Sequence, residues 1–166
     1  MPGIPIKVVF PEMHITLLDS VAKKVRAVRE IVSVLQLKDT KVVCGRAEEI
    51  GKLEGFRGRY DFVICRAVAR LSELIGWAFP FLKSGVAGDM TVGPKLHLSS
   101  GKLLALKGGE LEREFDKLIG KRFWSPQRTM RPSGIRVVDL DLDTGADRQA
   151  GKKLVIVDFA DSADRG

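Results

Sequence analysis

The stretch HITLLDS, followed at once by VAKKVRAVREIV, constrains the fold more than any other part of the chain. His14 to Asp19 reads as a buried strand that ends in an acidic residue. Val21, Val25, Val28, Val32 and Leu35 then recur at steps of three and four, with charge on the opposite side. That spacing predicts one amphipathic helix, with Ser20 as its cap. A strand that runs straight into a helix is half of a βαβ unit and needs a parallel neighbour.

The rest of the chain supplies such neighbours. KVVC (41–44) predicts the next strand, and GRAEEIGKLEG a loop with a short helix. YDFVIC (60–65) predicts a strand, and RAVARLSELIGWAFPFL leads into a helix. KLLALKG (102–108) is another strand, followed by a helix over GELEREFDKLIGKRF that packs through Leu111, Phe115, Leu118 and Ile119. RVVDLDL and KKLVIVDF have no helical pattern between them and are expected to pair as a hairpin. At the start, GIPIKVVF lies between Pro5 and Pro11 as a short buried helix. Lys83 to Ser100 reads as a long loop with a short hairpin around MTVGPKLHL. The expected fold is therefore α/β: a mostly parallel sheet, helices on both faces, and an antiparallel last strand. It is expected as one domain over residues 1–161, with a disordered tail from 162 to 166.

Composition narrows the class. A chain of 166 residues, 45% apolar and 30% charged, suits one globular domain. No 18-residue apolar run predicts a membrane span, and the start lacks a secretory pattern, so cytoplasm is the expected location. Cys44 and Cys65, with His14 and His97, have no metal-ligand spacing, so no metal is expected, and both cysteines are expected as small core residues. The net charge of +7 permits a polyanionic partner. Lys23, Lys24, Arg26 and Arg29 crowd one helix, and Lys121, Arg122, Arg128, Arg131 and Arg136 crowd another stretch.

In an open parallel sheet, ligands bind beyond the carboxyl ends of the strands. Asp19 sits at such an end, where its carboxylate suits a ribose diol or a helix start beside the positive dipole end. Arg46, Ala47 and Glu48 follow the second strand; Ala47 and Glu48 suit an adenine edge or simply a first helical turn. Arg66 follows the third, where it suits a cofactor carboxylate, a phosphate or a salt bridge. Lys107 with Gly108 and Gly109 suits a phosphate or a plain turn. Lys121, Arg122, Arg128 and Arg131, beside Phe123 and Trp124, suit RNA phosphates and a stacked base, or a solvated surface. Gly3 is the one glycine near the place of a dinucleotide loop, and alone it carries no weight.

Together, PGIP (2–5), HITLLDSVAKKVRAV (14–28), GRAEE (45–49), YDFVICRAVARL (60–71) and LLALKGGELEREF (103–115) resemble the bacterial RsmG family, also called GidB or glucose-inhibited division protein B. Their order and spacing fit from residue 2 to about residue 123, and the closing KKLVIV also fits. The resemblance implies a Rossmann-like methyltransferase fold, S-adenosyl-L-methionine as cofactor, and N7 of a guanine in 16S ribosomal RNA as target. It implies cofactor contacts at Gly3, Asp19, Ala47, Glu48 and Arg66. It puts Arg66 near the methyl-donor end and Lys107 on the RNA side of the pocket, as the catalytic candidates. It implies 16S ribosomal RNA or the small ribosomal subunit as partner, and the RNA contacts are expected at Arg46, Lys121, Arg122, Arg128 and Arg131. Members of that family carry a helical region, a first strand and a glycine loop like DxGSGxGFPG ahead of PGIP. The expectation is thus a fold lacking its N-terminal region and first strand, open to self-association across the incomplete sheet, with Gly85 to Ser100 longer than the usual turn. A non-catalytic RNA-binding or interaction protein that keeps this fold is the second reading. A dehydrogenase finds no intact fingerprint.

Overall fold

The computed structural model describes residues 2–66, 69–83, 89–92, 96–99, 101–108, 111–115, 118, 121–125, 128–140 and 152–161. Helix α1 (Gly3–Val9) leads to strand β1 (Ile15–Asp19), then to α2 (Ala22–Val34) and β2 (Thr40–Cys44). β1 and β2 pair in parallel, Ile15 opposite Thr40 and Asp19 opposite Cys44. Helix α2 turns Val25 and Val28 onto this pair and leaves Val21, Ile31, Val34 and Leu35 exposed. The expected stripe is therefore buried only at its middle.

A second, larger sheet follows. After α3 (Ala47–Ile50) come β3 (Phe62–Arg66), α4 (Leu71–Ala78) and a 3₁₀ turn at Phe79–Phe81. Next come the hairpin β4 (Asp89–Val92) and β5 (Leu96–Ser99), strand β6 (Lys102–Lys107) and helix α5 (Glu112–Phe115). The chain ends in β7 (Phe123–Ser125), β8 (Arg128–Leu140) and β9 (Lys152–Asp161). The order in the five-stranded sheet is β3-β6-β9-β8-β7, parallel between β3 and β6 and antiparallel from β6 outward.

The α/β fold with a mixed sheet is as expected, but its antiparallel part is broader. β9 is not an edge strand: it lies between β6 and β8. β8 begins eight residues before the expected start at Arg136, and β7 was not expected as a strand. The hairpin β4–β5 lies where MTVGPKLHL predicts one. The helix expected over 109–123 is described only as Glu112–Phe115. The expected tail, 162–166, lies outside the described residues.

The core follows the period of two along β6 and β9. Leu103, Ala105, Val155 and Val157 face α4, where Leu71, Leu74, Ile75 and Ala78 meet them with Phe79 and Leu111. Leu104 and Ile156 face the other way and pack with Phe62, Ile64 and Leu154. Both faces of β3 are thus apolar, as for a strand meant to be covered on both sides.

The two sheets do not join. Among the described residues, no strand pairs with β1 on the side away from β2, nor with β3 on the side away from β6. A hydrogen bond from the Tyr60 hydroxyl to Thr16 Oγ1 (3.1 Å) links the starts of β1 and β3. Between these strands lies a cavity of about 1950 Å³. No helix of the described residues is long and apolar enough to cross a membrane.

Candidate cofactor site at the carboxyl ends of the strands

The cavity between β1 and β3 is walled by Ile15 to Leu18 on one side and Phe62 to Arg66 on the other. Gly3, Ala47 and Arg66 also line it, so residues far apart in sequence meet at one hollow. Gly3 opens α1 hard against β1: a Cβ at this position would lie 2.4 Å from Leu17 Cδ2, so the helix approaches this closely only with glycine. Ala47 is the first residue of α3, and Arg66 ends β3 with its side chain exposed.

Asp19 and Glu48 do not line the cavity wall. Asp19 ends β1, and its Oδ1 accepts the Val21 N–H at 2.9 Å. Ser20 is not the helix cap. Helix α2 starts at Ala22, so Ser20 falls outside the capping position, and the Asp19 carboxylate takes the free N–H instead. The second Asp19 oxygen carries no hydrogen bond among the described residues. Glu48 is exposed and lies 3.8 Å from Arg46, an exposed surface pair.

Lys107 is engaged elsewhere. Its side chain is 7% exposed, and its ammonium donates to both Glu114 oxygens (2.7 and 2.5 Å) and to the Ala69 carbonyl (3.2 Å). Glu114 Oε2 also accepts the Leu71 N–H at 2.6 Å, at the start of α4. Burial works against the Glu114 charge, but the Lys107 and Leu71 hydrogen bonds, with the Lys107 and Arg70 charges, hold its carboxyl below the ordinary 4.5. This pair ties the end of β6 to the segment after β3, on which Arg66 sits. Sequence reading missed Glu114; its one signal was an acid seven residues after a strand-end lysine.

Lys7 was missed as well. It is 2% exposed inside α1, and its ammonium donates to the carbonyls of Pro11 (2.7 Å) and Met13 (2.5 Å). It ties the end of α1 to the entry of β1. Burial pushes the Cys65 thiol up to about 11, partly offset by the Lys107 charge. Cys65 packs on the core as expected, whereas Cys44, at the end of β2, is exposed.

Of the predicted RNA contacts, Arg46 is exposed beside α3. Lys121 and Arg122 are exposed just before β7, and the Lys121 ammonium lies 5.5 Å from the Phe123 ring centre. Arg128 and Arg131 lie on β8, with side chains outside the described residues. β7 is the far edge of the large sheet, with β6, β9 and β8 between it and β3, and Lys121 and Arg122 are not among the residues that line the cavity. Among the described residues no cluster of His, Cys, Asp and Glu fits a metal.

A family model described as GidB, rRNA small subunit methyltransferase G, matches residues 1–125. The chain belongs to this family. A ribosomal RNA small subunit methyltransferase G of Leuconostoc mesenteroides is 38% identical over 147 residues, covering 80% of this chain and 62% of that protein. Its counterpart in Alkaliphilus metalliredigens is 45% identical over 95 residues, covering 57% and 40%. The chain thus spans less than two-thirds of these GidB relatives. A crystal structure of an rRNA methylase from Streptococcus thermophilus shares the fold, with TM-score 0.52 and 14% identity over 86% of this chain and 71% of that one. The GidB family is one of S-adenosylmethionine-dependent methyltransferases. The surroundings of the cavity suit that cofactor in part: Ala47 opens α3 at the rim, and Asp19, off the cavity wall, has one carboxylate oxygen without a hydrogen bond among the described residues.

Proposed function

We propose that this chain takes part in methyl transfer from S-adenosylmethionine to N7 of a guanine in 16S ribosomal RNA. The observation that carries the reading is the meeting of Gly3, Ala47 and Arg66 at one cavity, with Asp19 at the end of the strand beside it. Asp19 holds the ribose through its unused oxygen, and Ala47 presents backbone groups to the adenine. The bound cofactor supplies a methyl group activated by its sulfonium. Guanine N7 carries an in-plane lone pair and needs no proton removed, so the chain needs no general base here. What the protein contributes is placement and charge. Arg66 donates to O6 of the guanine rather than to N7, because a hydrogen bond to N7 occupies the attacking lone pair. Lys107 acts by holding Glu114 and the Ala69 carbonyl, which fixes the wall that bears Arg66. Arg46, Lys121 and Arg122 meet RNA phosphates, so binding weakens as salt rises.

The test follows transfer of a labelled methyl group to small-subunit ribosomal RNA, read as 7-methylguanosine after digestion. Incorporation that falls on Arg66→Ala supports the reading. Salt-sensitive RNA binding without incorporation favours the second one, a non-catalytic RNA-binding protein. The split between β1 and β3 beside the site is what keeps that second reading open.

A further inference from the structure

Glu114 lies where three parts of the chain meet. Lys107 ends β6, and its ammonium donates to Glu114 Oε1 (2.7 Å), to Glu114 Oε2 (2.5 Å) and to the Ala69 carbonyl (3.2 Å). Glu114 Oε2 also accepts the N–H of Leu71, the first residue of α4, at 2.6 Å. Ala69 and Leu71 belong to the short segment that leaves β3 after Arg66. One carboxylate on α5 therefore holds that segment at two points, directly at Leu71 and through Lys107 at Ala69.

This clasp does more than start a helix. α4 has an acid of its own at its start, since Glu73 Oε2 accepts the Arg70 N–H at 3.1 Å. What Glu114 adds is a bond across the fold, from α5 to the path by which the chain leaves β3. The ends of that path are fixed as well. Arg66 stands opposite Leu106 in the ladder between β3 and β6, and the Leu71 side chain is fully buried in the core. Lys107 from β6 and Arg70 from the start of α4 both favour the ionised carboxylate, so the clasp is charged at neutral pH. Neither Glu114 nor Lys107 lines the cavity, whereas Arg66 and Leu106 do. Glu114 thus reaches a molecule in the cavity only through its neighbours.

We propose that Glu114 is a positioning residue for the cavity: through Lys107 and the Leu71 N–H it fixes the segment that follows Arg66, and so aims the Arg66 guanidinium at the molecule bound there. The inference rests on the cofactor reading above for what Arg66 meets. The clasp itself stands on its hydrogen bonds.

The test compares the parent chain with Glu114→Gln, Arg66→Ala and the two combined. A side-chain amide at position 114 keeps the length and one acceptor oxygen. Its NH₂ must face a donor, either Lys107 or Leu71, so one tie is lost whichever way it turns. S-adenosylhomocysteine is titrated by calorimetry into each chain. Glu114→Gln should weaken binding roughly fivefold in the parent but less than about twofold once Arg66 is alanine, because the two residues act as one unit. No loss in the parent, or an equal loss in both backgrounds, overturns the proposal. Amide exchange separates positioning from plain stability. Glu114→Gln should speed exchange roughly tenfold at Cys65 and Leu71 and leave Val155 and Val157 unchanged. A rise at all four alike, or at none, contradicts the clasp. Lys107→Met with Glu114→Ala gives a second route: its urea midpoint should recover while its binding stays as weak as that of Glu114→Gln. Binding that recovers with the midpoint refutes a positioning role. A parent that gives heats of dilution alone sinks the cofactor reading, and the exchange pattern then decides the clasp by itself.

Discussion

Replacing Glu114 with Ala should cost more than any surface change in this chain. The substitution leaves the Lys107 ammonium, on a side chain 7% exposed, with one carbonyl partner at 3.2 Å. It also removes the acceptor of the Leu71 N–H. Breaking a buried ion pair by deleting one partner costs about 3–5 kcal/mol. Glu114 is itself 29% exposed, so water reaches the gap and the lower end, about 3 kcal/mol, applies. Exchanging both partners for apolar residues removes the stranded charge, so Lys107→Met with Glu114→Ala should recover more than half of that loss. Urea unfolding at neutral pH measures this. With a slope of about 2 kcal/mol per molar, the single substitution lowers the midpoint by about 1.5 M. A single variant within about 0.5 kcal/mol of the parent, or a double variant no more stable than the single, refutes the reasoning.

The same carboxylate sets part of the acid limb. Its folded pKa lies below the ordinary 4.5, so its contribution is present above that value and is lost as pH falls through the depressed one; Glu114→Gln should flatten this part of a stability–pH curve. Cys65 acts on the alkaline side. Its thiol stays neutral in the folded protein up to about 11 but ionises near 9.0 when unfolded, so stability should fall between these values, and Cys65→Ala should remove that fall. Lys7→Met keeps the stem but leaves the Pro11 and Met13 carbonyls unpaired; thermal and urea unfolding should show a loss of about 2 kcal/mol, and an unchanged protein contradicts the tie drawn between α1 and β1.

What the sequence revealed follows its periodicities. β1, β2, β3, β6 and β9 are continuous apolar runs bounded by polar residues, and each lies within two residues of where it was expected. α1 was legible from its prolines, but it starts ahead of Pro5 and is not buried as expected: Val8 and Val9 are exposed. β7 was not legible: three residues carry no periodicity, and pairing with Met130, Thr129 and Arg128 defines the strand. The break between β1 and β3 agrees with the expectation of an incomplete sheet, which came from the resemblance and not from a local pattern. The site divides the same way. Strand ends pointed to Ala47 and Arg66, which line the cavity, and to Asp19, which does not, since a parallel sheet brings such ends to one side. The roles of Lys7, Glu114 and Ser20 depend on which carbonyl or N–H the fold brings near. Lys7 reads as an interruption of an apolar helix until Pro11 and Met13 turn their carbonyls toward it. Ser20 reads as a cap until the helix starts one residue later.

The most direct test of the central claim is a calorimetric titration of S-adenosylhomocysteine into the chain. Saturable binding, weakened by Arg66→Ala and Asp19→Asn, is the predicted result. Heats of dilution alone would contradict the assignment of this cavity to the cofactor.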